Sequence, residues 1–568
     1  MVASALAYPL RQGLRKETPR QSMVKTISQG LISASLKKCS RWAMHNRIMG
    51  NPIPGPVRFT YHPWSIEMHD TDAPECVGQK AAQMGYTETM LDRTFFTIDQ
   101  LRRDVLYVLP AKTPDATDFS NTRFDPALEM SPYLSRIFTN VNNVGLKRAG
   151  TNSLYVRGSR SRSALVSIPV GLVVLDEMDL FDDETVPLVK ERMSGQLQKQ
   201  IWMISTPSIP NHGINERFTL TDQRHFFFVC PHCSRHIELV FPDSLVVCGE
   251  SENDPRTAES HLICSACKKL LPHSTKTEWL ATGQWVPTFP GRSLVGYHIP
   301  QLYSCVLHPE EIAKLWIASQ FDSTKEQEFY NSKLGLEHIP KGSTITEEMI
   351  ENCKSNFRLG DSKLFGQGFC TMGVDIGTDI YVEIDQWHLR TDLNTTDIND
   401  LAVGKMHYCG VVKDFVDLDT LMYKFKPTMC VVDHLPDTRA AIAFAHRFPG
   451  RIKLCHYGNG LATRDIVDHG ERITVDRTCW FDLSLSRFIN KTLLLPLDLP
   501  ITYKVHICNM VRVPIKTKDR DTMKQDQIIF RYQKTGDDHF AHARNYSEMA
   551  LKLSASIGGN QDITDRIR

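Results

Sequence analysis

Two pairs of cysteines, Cys230-Pro-His-Cys233 and Cys264-Ser-Ala-Cys267, stand 30 residues apart in a chain of 568. Each Cys-x-x-Cys lets one tight turn present two thiolates to the same side. Two such turns build a tetrahedral four-sulfur site for Zn2+. Four unligated core cysteines, the alternative, have no need of paired spacings. A closed thiolate shell leaves no open position for a substrate, so the expected zinc is structural. Cys248 and His232 are spare soft ligands close by. The full set is 15 dispersed cysteines, with no signal peptide evident before them. An odd, scattered set fits a reducing compartment better than a disulfide framework.

Around this knuckle, expected over 226–286, the chain alternates between short apolar runs and amphipathic stretches. Residues 105–109, 153–156, 172–175 and 201–204 predict buried strands, and 75–78 predicts a shorter one. Residues 87–101 and 184–199 predict helices. Strands alternating with helices predict a parallel, doubly wound α/β domain over 40–225. Residues 287–360 are expected to end this region and supply a linker, centred on 342–356. A second alternating domain is expected over 361–555, with strands at 370–376 and 429–432. A basic arm (1–39) and a polar tail (556–568) complete the plan. A hydrophobic fraction of 41% and a charged fraction of 23% exclude a disordered or fibrous chain.

Lys and Arg number 66 against 65 Asp and Glu. Any nucleic-acid surface is therefore local. Residues 1–38 hold seven basic side chains, among them Lys25, and one acid, Glu17; they read either as a partner-binding arm or as a transit peptide. Residues 504–534 are rich in Lys and Arg, including Lys516, Lys518, Arg520, Lys524, Arg531 and Lys534. Asp519, Asp521 and Asp526 interleave with them. That strip reads equally as a phosphate-contacting surface and as a solvated hairpin. No apolar run approaches the ~18–20 residues that span a bilayer, so no membrane partner is expected.

Nucleotide-hydrolysing loops read GxxxxGK[ST], and no segment matches. Two come near. Residues 19–26 end in Lys25-Thr26 but lack glycine. Residues 80–87 keep Gly85 and Thr87 in register, put Tyr86 where the lysine belongs, and place Lys80 at the loop entrance. A lysine there reaches the same phosphates from the other side. Residues 172–177 form an apolar run ending in Asp176-Glu177. The aspartate suits the water shell of Mg2+, and the glutamate suits the polarising of an attacking water. Residues 201–206 are a further strand ending in Ser205-Thr206, where ATP-driven motors sense the terminal phosphate. Arg160 and Arg162 are candidate arginine fingers. A second acidic set follows: Asp375 on one strand, Asp433 at the end of another, and Asp537-Asp538 before a C-terminal helix. Three acids so placed hold two divalent ions for phosphodiester cleavage, although an aspartate at a strand end also serves as a helix cap.

The strings KAAQMGYTE, VLDEMDLF, ISTPS and CPHC, in this order, resemble the large terminase subunit of tailed bacteriophages, in particular its lambda-type subfamily with a displaced phosphate-loop lysine. GPVRFTYHPW, VLYVLP and DQRHFFFVCPHC agree, and the resemblance covers residues 40–550. It implies a P-loop ATPase domain with an inserted zinc ribbon, followed by an RNase H-like nuclease domain. By the same resemblance Lys80 and Gly85 hold phosphates, Thr87 and Asp176 serve Mg2+, Glu177 is the catalytic carboxylate, and Ser205 and Thr206 couple hydrolysis to motion. Phe59 or Tyr61 stacks on adenine. Asp375, Asp433 and Asp538 bind Mg2+ or Mn2+, with Asp537 the alternative to Asp538. His539 and His542 stand behind them, and many relatives carry an acid at the position of His542. The implied partners are double-stranded DNA, a small terminase subunit and the portal protein of the procapsid, with a homo-oligomeric ring during packaging. The implied location is the cytoplasm of the bacterial host rather than the mature virion. Two other readings compete: a DNA-binding structural module with an inactive loop, and a repair helicase–nuclease.

Overall fold

The computed structural model describes residues 36–557 apart from 140, 167, 182–183, 341, 361–367, 391–394, 396, 459–462 and 518–526. The expected basic arm, with Lys25, lies outside the described residues as far as residue 35. Its end does not: Cys39–Asn46 is a helix with Trp42 fully buried. The chain forms two compact units. The first holds residues up to Ser208 and Gly213–Glu337; the second holds Ile209–His212 and the residues from His338 onward. No helix among the described residues is long and apolar enough to cross a membrane.

The first unit is built on an eleven-stranded sheet. Its centre comprises β1 (Glu75–Lys80), β2 (Val105–Leu109), β3 (Asn152–Gly158), β4 (Leu172–Asp176) and β5 (Gln200–Ser205), flanked by β6 (Arg224–Val229) and β7 (Val295–Ile299). The spatial order β6-β7-β1-β5-β4-β2-β3 is parallel throughout. Parallel strands covered on both faces must be apolar along their whole length. That is why 172–175 and 201–204 are continuous hydrophobic runs, every residue of β4 and β5 being buried. Helix α1 (Tyr86–Asp99) follows β1 directly. The helix predicted over 184–199 is shorter, Thr185–Glu191, because the Ser194-Gly195 stretch that follows favours turn over helix.

The cysteine region departs from its expected limits. Phe226 and Phe228, read as the start of the knuckle, are buried in β6 of the main sheet, and Gln284–Pro287 pairs with that strand. The knuckle's own sheet is small, made of Leu245–Val246, His261–Ile263 and Leu270–Leu271.

The second unit also begins earlier than expected. Ile345, Ile350 and Cys353, read as linker, are buried with Met406, Phe481 and Leu485 of that unit. Its eight-stranded sheet contains β8 (Phe369–Ile376), β9 (Ile380–Leu389), β10 (Ala402–Val412), β11 (Met429–Asp433) and β12 (Ile452–Gly458) in the order β10-β9-β8-β11-β12. The first three are antiparallel, and the last two run parallel to β8. Helix α2 (His539–Ile557) lies across β8. Gly373 permits this approach: a Cβ there would overlap the backbone of Ala543 and Ser547.

Candidate nucleotide and metal sites

In a parallel sheet, the carboxyl ends of neighbouring strands open a common crevice. β1, β5 and β4 are such neighbours. Their register sets Gln79 beside Ser205 and Asp176 beside Ile204, so Lys80, Ser205 and Asp176 emerge at one edge. Gly85 takes a left-handed φ of 82° immediately before α1, a turn that a side chain disfavours. This brings Thr87 into the first turn of the helix, where its hydroxyl donates to Asp176 Oδ2 at 3.2 Å. Tyr107 donates to the same oxygen at 2.6 Å. The other oxygen, Oδ1, is buried without a partner. A buried carboxylate oxygen left unpaired is costly unless something cationic or water-bearing meets it. The donor set therefore fits a magnesium ion with its water shell.

Lys80 is buried, and its Nζ donates to Glu177 Oε1 at 3.1 Å. Burial opposes its charge, but Glu177 and Asp176 outweigh burial and hold the ammonium above its ordinary pKa. Asp176 is pushed up to about 6, by burial first and then by the charge of Glu177. Glu177 sits at a positive φ of 59°, and its side chain, paired with Lys80, is 43% exposed. Ser205 is fully buried and donates to the Thr206 carbonyl. Lys80, Thr87, Asp176 and Glu177 are thus joined in one constellation. Phe59 is not available for stacking, since its ring is buried edge-on against His69, whereas Tyr61 is exposed. Arg160 and Arg162 are exposed, the latter paired with Glu184 at 3.3 Å. Tyr107 escaped the sequence reading because it lies inside an apolar run; its hydroxyl is the one polar side-chain atom of β2.

The four cysteines converge. Their sulfurs lie within 4.8 Å of one another, with Cys230–Cys267 at 4.0 Å and Cys233–Cys264 at 3.9 Å. A tetrahedron of Zn–S bonds of about 2.3 Å places sulfurs about 3.8 Å apart. The two turns have matching hydrogen bonds: Cys230 N–H to Arg235 O and Ser234 N–H to Cys230 O, then Cys264 N–H to Lys269 O and Lys268 N–H to Cys264 O, all 2.9 Å. Ser234 and Lys268 both take positive φ, 57° and 58°. Among the described residues this is the one such cluster, and it is compatible with zinc.

In the second unit, Val374 pairs with Val432, so Asp375 and Asp433 leave adjacent strands side by side. Asp538 precedes α2 and is buried, whereas Asp537 is exposed. Burial, then the nearby Asp375 charge, pushes Asp433 up to about 6 against the lowering Leu435 N–H bond. Burial also opposes charge on Asp538, but His542, Lys534 and Arg477 win and hold it at about 2. His539 contacts Asp375 Oδ2 at 2.8 Å and stacks on Tyr381, ring centroids 4.5 Å apart. His542 pairs with Asp538 at 3.4 Å and meets Tyr457. Of the basic strip, Arg531 and Lys534 are exposed; the side chains of Lys516, Lys518, Arg520 and Lys524 lie outside the described residues.

Residues 51–285 match the family model described as phage terminase large subunit gpA, ATPase domain. The large terminase subunit of Escherichia phage lambda is 24% identical over 344 residues, covering 54% of this chain and 53% of that protein. The chain thus matches about half the length of this relative. Among solved structures, the HK97 bacteriophage large terminase covers 91% of this chain and 99% of its own, with a TM-score of 0.48 and 11% identity. The large terminase of a thermophilic bacteriophage, solved in complex with ATP-gamma-S, covers 84% and 93%, with a TM-score of 0.28 and 13% identity. Residues 51–285, which carry Lys80, the Asp176-Glu177 strand end and the four cysteines, thus match the ATPase-domain model of phage terminase large subunits, the family that the sequence resembles.

Proposed function

We propose that this chain is the large subunit of a viral DNA-packaging terminase: an ATP-driven translocase of double-stranded DNA joined to a metal-dependent endonuclease that cuts concatemeric DNA. The observation that carries the reading is the convergence of Lys80, Thr87, Asp176 and Glu177 at adjacent strand ends, with Asp176 Oδ1 buried and unpaired. Lys80 and the backbone near Gly85 hold the phosphates. Thr87 and Asp176 hold Mg2+, which when bound neutralises charge developing on the transferred phosphoryl group. Glu177 leaves its Lys80 contact and orients the attacking water. Ser205 and Thr206, at the end of the strand next to that of Asp176, would couple hydrolysis to motion.

In the second unit, the strand order with three antiparallel members followed by two parallel ones supports an RNase H-like nuclease. Asp375, Asp433 and Asp538 are its Mg2+ or Mn2+ ligands, and the burial of Asp538 favours it over Asp537. Two bound metals would clamp the attacking and leaving oxygens of a phosphodiester. His539 orients Asp375, and His542 orients Asp538. The four cysteines hold a structural Zn2+. On this reading the chain works in the cytoplasm of a host bacterium, in a ring of copies, with a small terminase subunit, the portal protein and double-stranded DNA.

A phosphate-release assay with and without linear double-stranded DNA tests the proposal. DNA-stimulated, Mg2+-dependent hydrolysis without strand separation is expected. DNA binding without hydrolysis supports the structural-module reading instead, and ATP-dependent strand separation supports a repair helicase–nuclease.

A further inference from the structure

We infer that Gln79, Asp179 and Asn331 are positioning residues that relay the state of the nucleotide site to the places where the chain passes between its two units; this rests on the ATPase reading of that site. The chain passes between units after Ser208, after His212 and after Glu337. Buried polar side chains need partners, and these three find theirs beside those passages.

Asp179 stands two residues after Glu177 and is buried. Its Oδ2 accepts from the Ser208 N–H at 2.8 Å and from the Ser208 hydroxyl at 2.7 Å, and its Oδ1 accepts from the Ile214 N–H at 2.7 Å. One carboxylate thus grips both ends of the Ile209–His212 excursion. Its own N–H donates to Ser205 Oγ at 3.2 Å. Within the excursion, Ile209 is fully buried in an apolar cluster with Val511 and Val513 of the second unit.

Gln79 immediately precedes Lys80 and is 2% exposed. It donates to the Gly335 carbonyl at 3.0 Å and to Glu337 at 3.3 Å, and accepts from Asn215 at 3.3 Å. In the phosphate loop, the Ala82 N–H donates to the Ser332 carbonyl at 2.8 Å. Asn331 closes the circuit by donating to the Ser208 and Leu336 carbonyls, both at 2.8 Å. A shift at Lys80 or Glu177 when the phosphates are bound or lost therefore pulls on amides at all three passages. Such coupling is a difference in free energy between two arrangements that the ligand reads.

Hydrogen exchange of the full chain, measured with and without ATP-gamma-S and Mg2+, tests the relay. In the wild type, exchange over residues 206–216 and 328–340 is expected to change by at least about threefold on nucleotide binding. Asp179→Asn offers one acceptor oxygen where the aspartate uses two; Asn331→Ala removes the bridge from Ser208 to Leu336. Asn331→Ala is expected to bind ATP-gamma-S within about threefold of wild type yet lose the response over 328–340. Asp179→Asn loses it over 206–216. A wild type that binds ATP-gamma-S with no change in either segment overturns the relay without needing any variant, as do variants that respond like wild type. A wild type that does not bind ATP-gamma-S overturns the ATPase reading, and the relay with it.

Discussion

Arg544→Met probes the frame that holds α2, and with it Asp538, against the sheet of the second unit. Arg544 is fully buried, with Asp385 at 2.7 Å, Glu548 at 3.2 Å and Glu383 also in contact. Arg487 shares Glu548 and also binds the Ala402 and Asn399 carbonyls. Three acids face two guanidiniums, so the replacement leaves three with one. Breaking a buried pair by removing one partner costs about 3–5 kcal/mol, because a charge is left uncompensated. For a unit of this size each kcal/mol moves the midpoint by about 2–4 °C, giving a drop of about 6–20 °C. Calorimetry of the full chain reads this in the transition of the second unit.

The sign of the pH dependence follows from the same residues. Burial raises Glu383 and Asp385 above the usual carboxyl range even with Arg544 present, and without it they rise further. The folded variant then binds more protons than the unfolded chain, so its stability increases as pH falls. The deficit relative to wild type is expected to be larger at about pH 8 than at about pH 5.5. A midpoint lowered by less than about 2 °C, or a deficit that grows on acidification, refutes the reasoning.

Three further outcomes are expected. Glu177→Gln keeps nucleotide binding and slows hydrolysis by about 10²–10⁴-fold, since it removes a water-orienting base while leaving Lys80 in place; phosphate release beside nucleotide titration reads both. Elemental analysis of the purified chain finds one zinc per molecule, and Cys230→Ser or Cys264→Ser loses the metal and lowers stability, because metal-binding energy at such a site is folding energy. Asp375→Ala or Asp433→Ala abolishes plasmid nicking with Mn2+ while ATP hydrolysis stays within about threefold of wild type, because the acids belong to a unit other than that of Lys80 and Asp176.

The central strands were legible because full burial forces unbroken apolar runs, as in 172–175 and 201–204. The cysteine turns were legible because metal geometry fixes both residue type and spacing. Boundaries were harder to read. Residues 345–353 look polar and loop-like, yet three of them fill a hydrophobic cluster; few side chains suffice to anchor a short segment. Phe226 and Phe228 alternate as a strand does, but nothing in their sequence tells the main sheet from the knuckle. Gln79 and Asp179 carried no signal, because several of their partners are backbone groups as far away as Gly335 and Ile214, which leave no trace in composition, and their side-chain partners Asn215, Glu337 and Ser208 are distant in sequence. Phe59 misled for a related reason: an aromatic beside the loop suits adenine in sequence, and in the fold it is core.

The nucleotide site proposed for the first unit depends on Lys80. Mg2+-dependent phosphate release from the full chain, measured for wild type, Lys80→Ala and Lys25→Ala side by side, tests it most directly. Lys80 is buried at the sheet edge and held by Glu177, so Lys80→Ala is expected to lose hydrolysis while Lys25→Ala retains it. Hydrolysis that survives Lys80→Ala and disappears in Lys25→Ala would contradict the assignment of the phosphate loop.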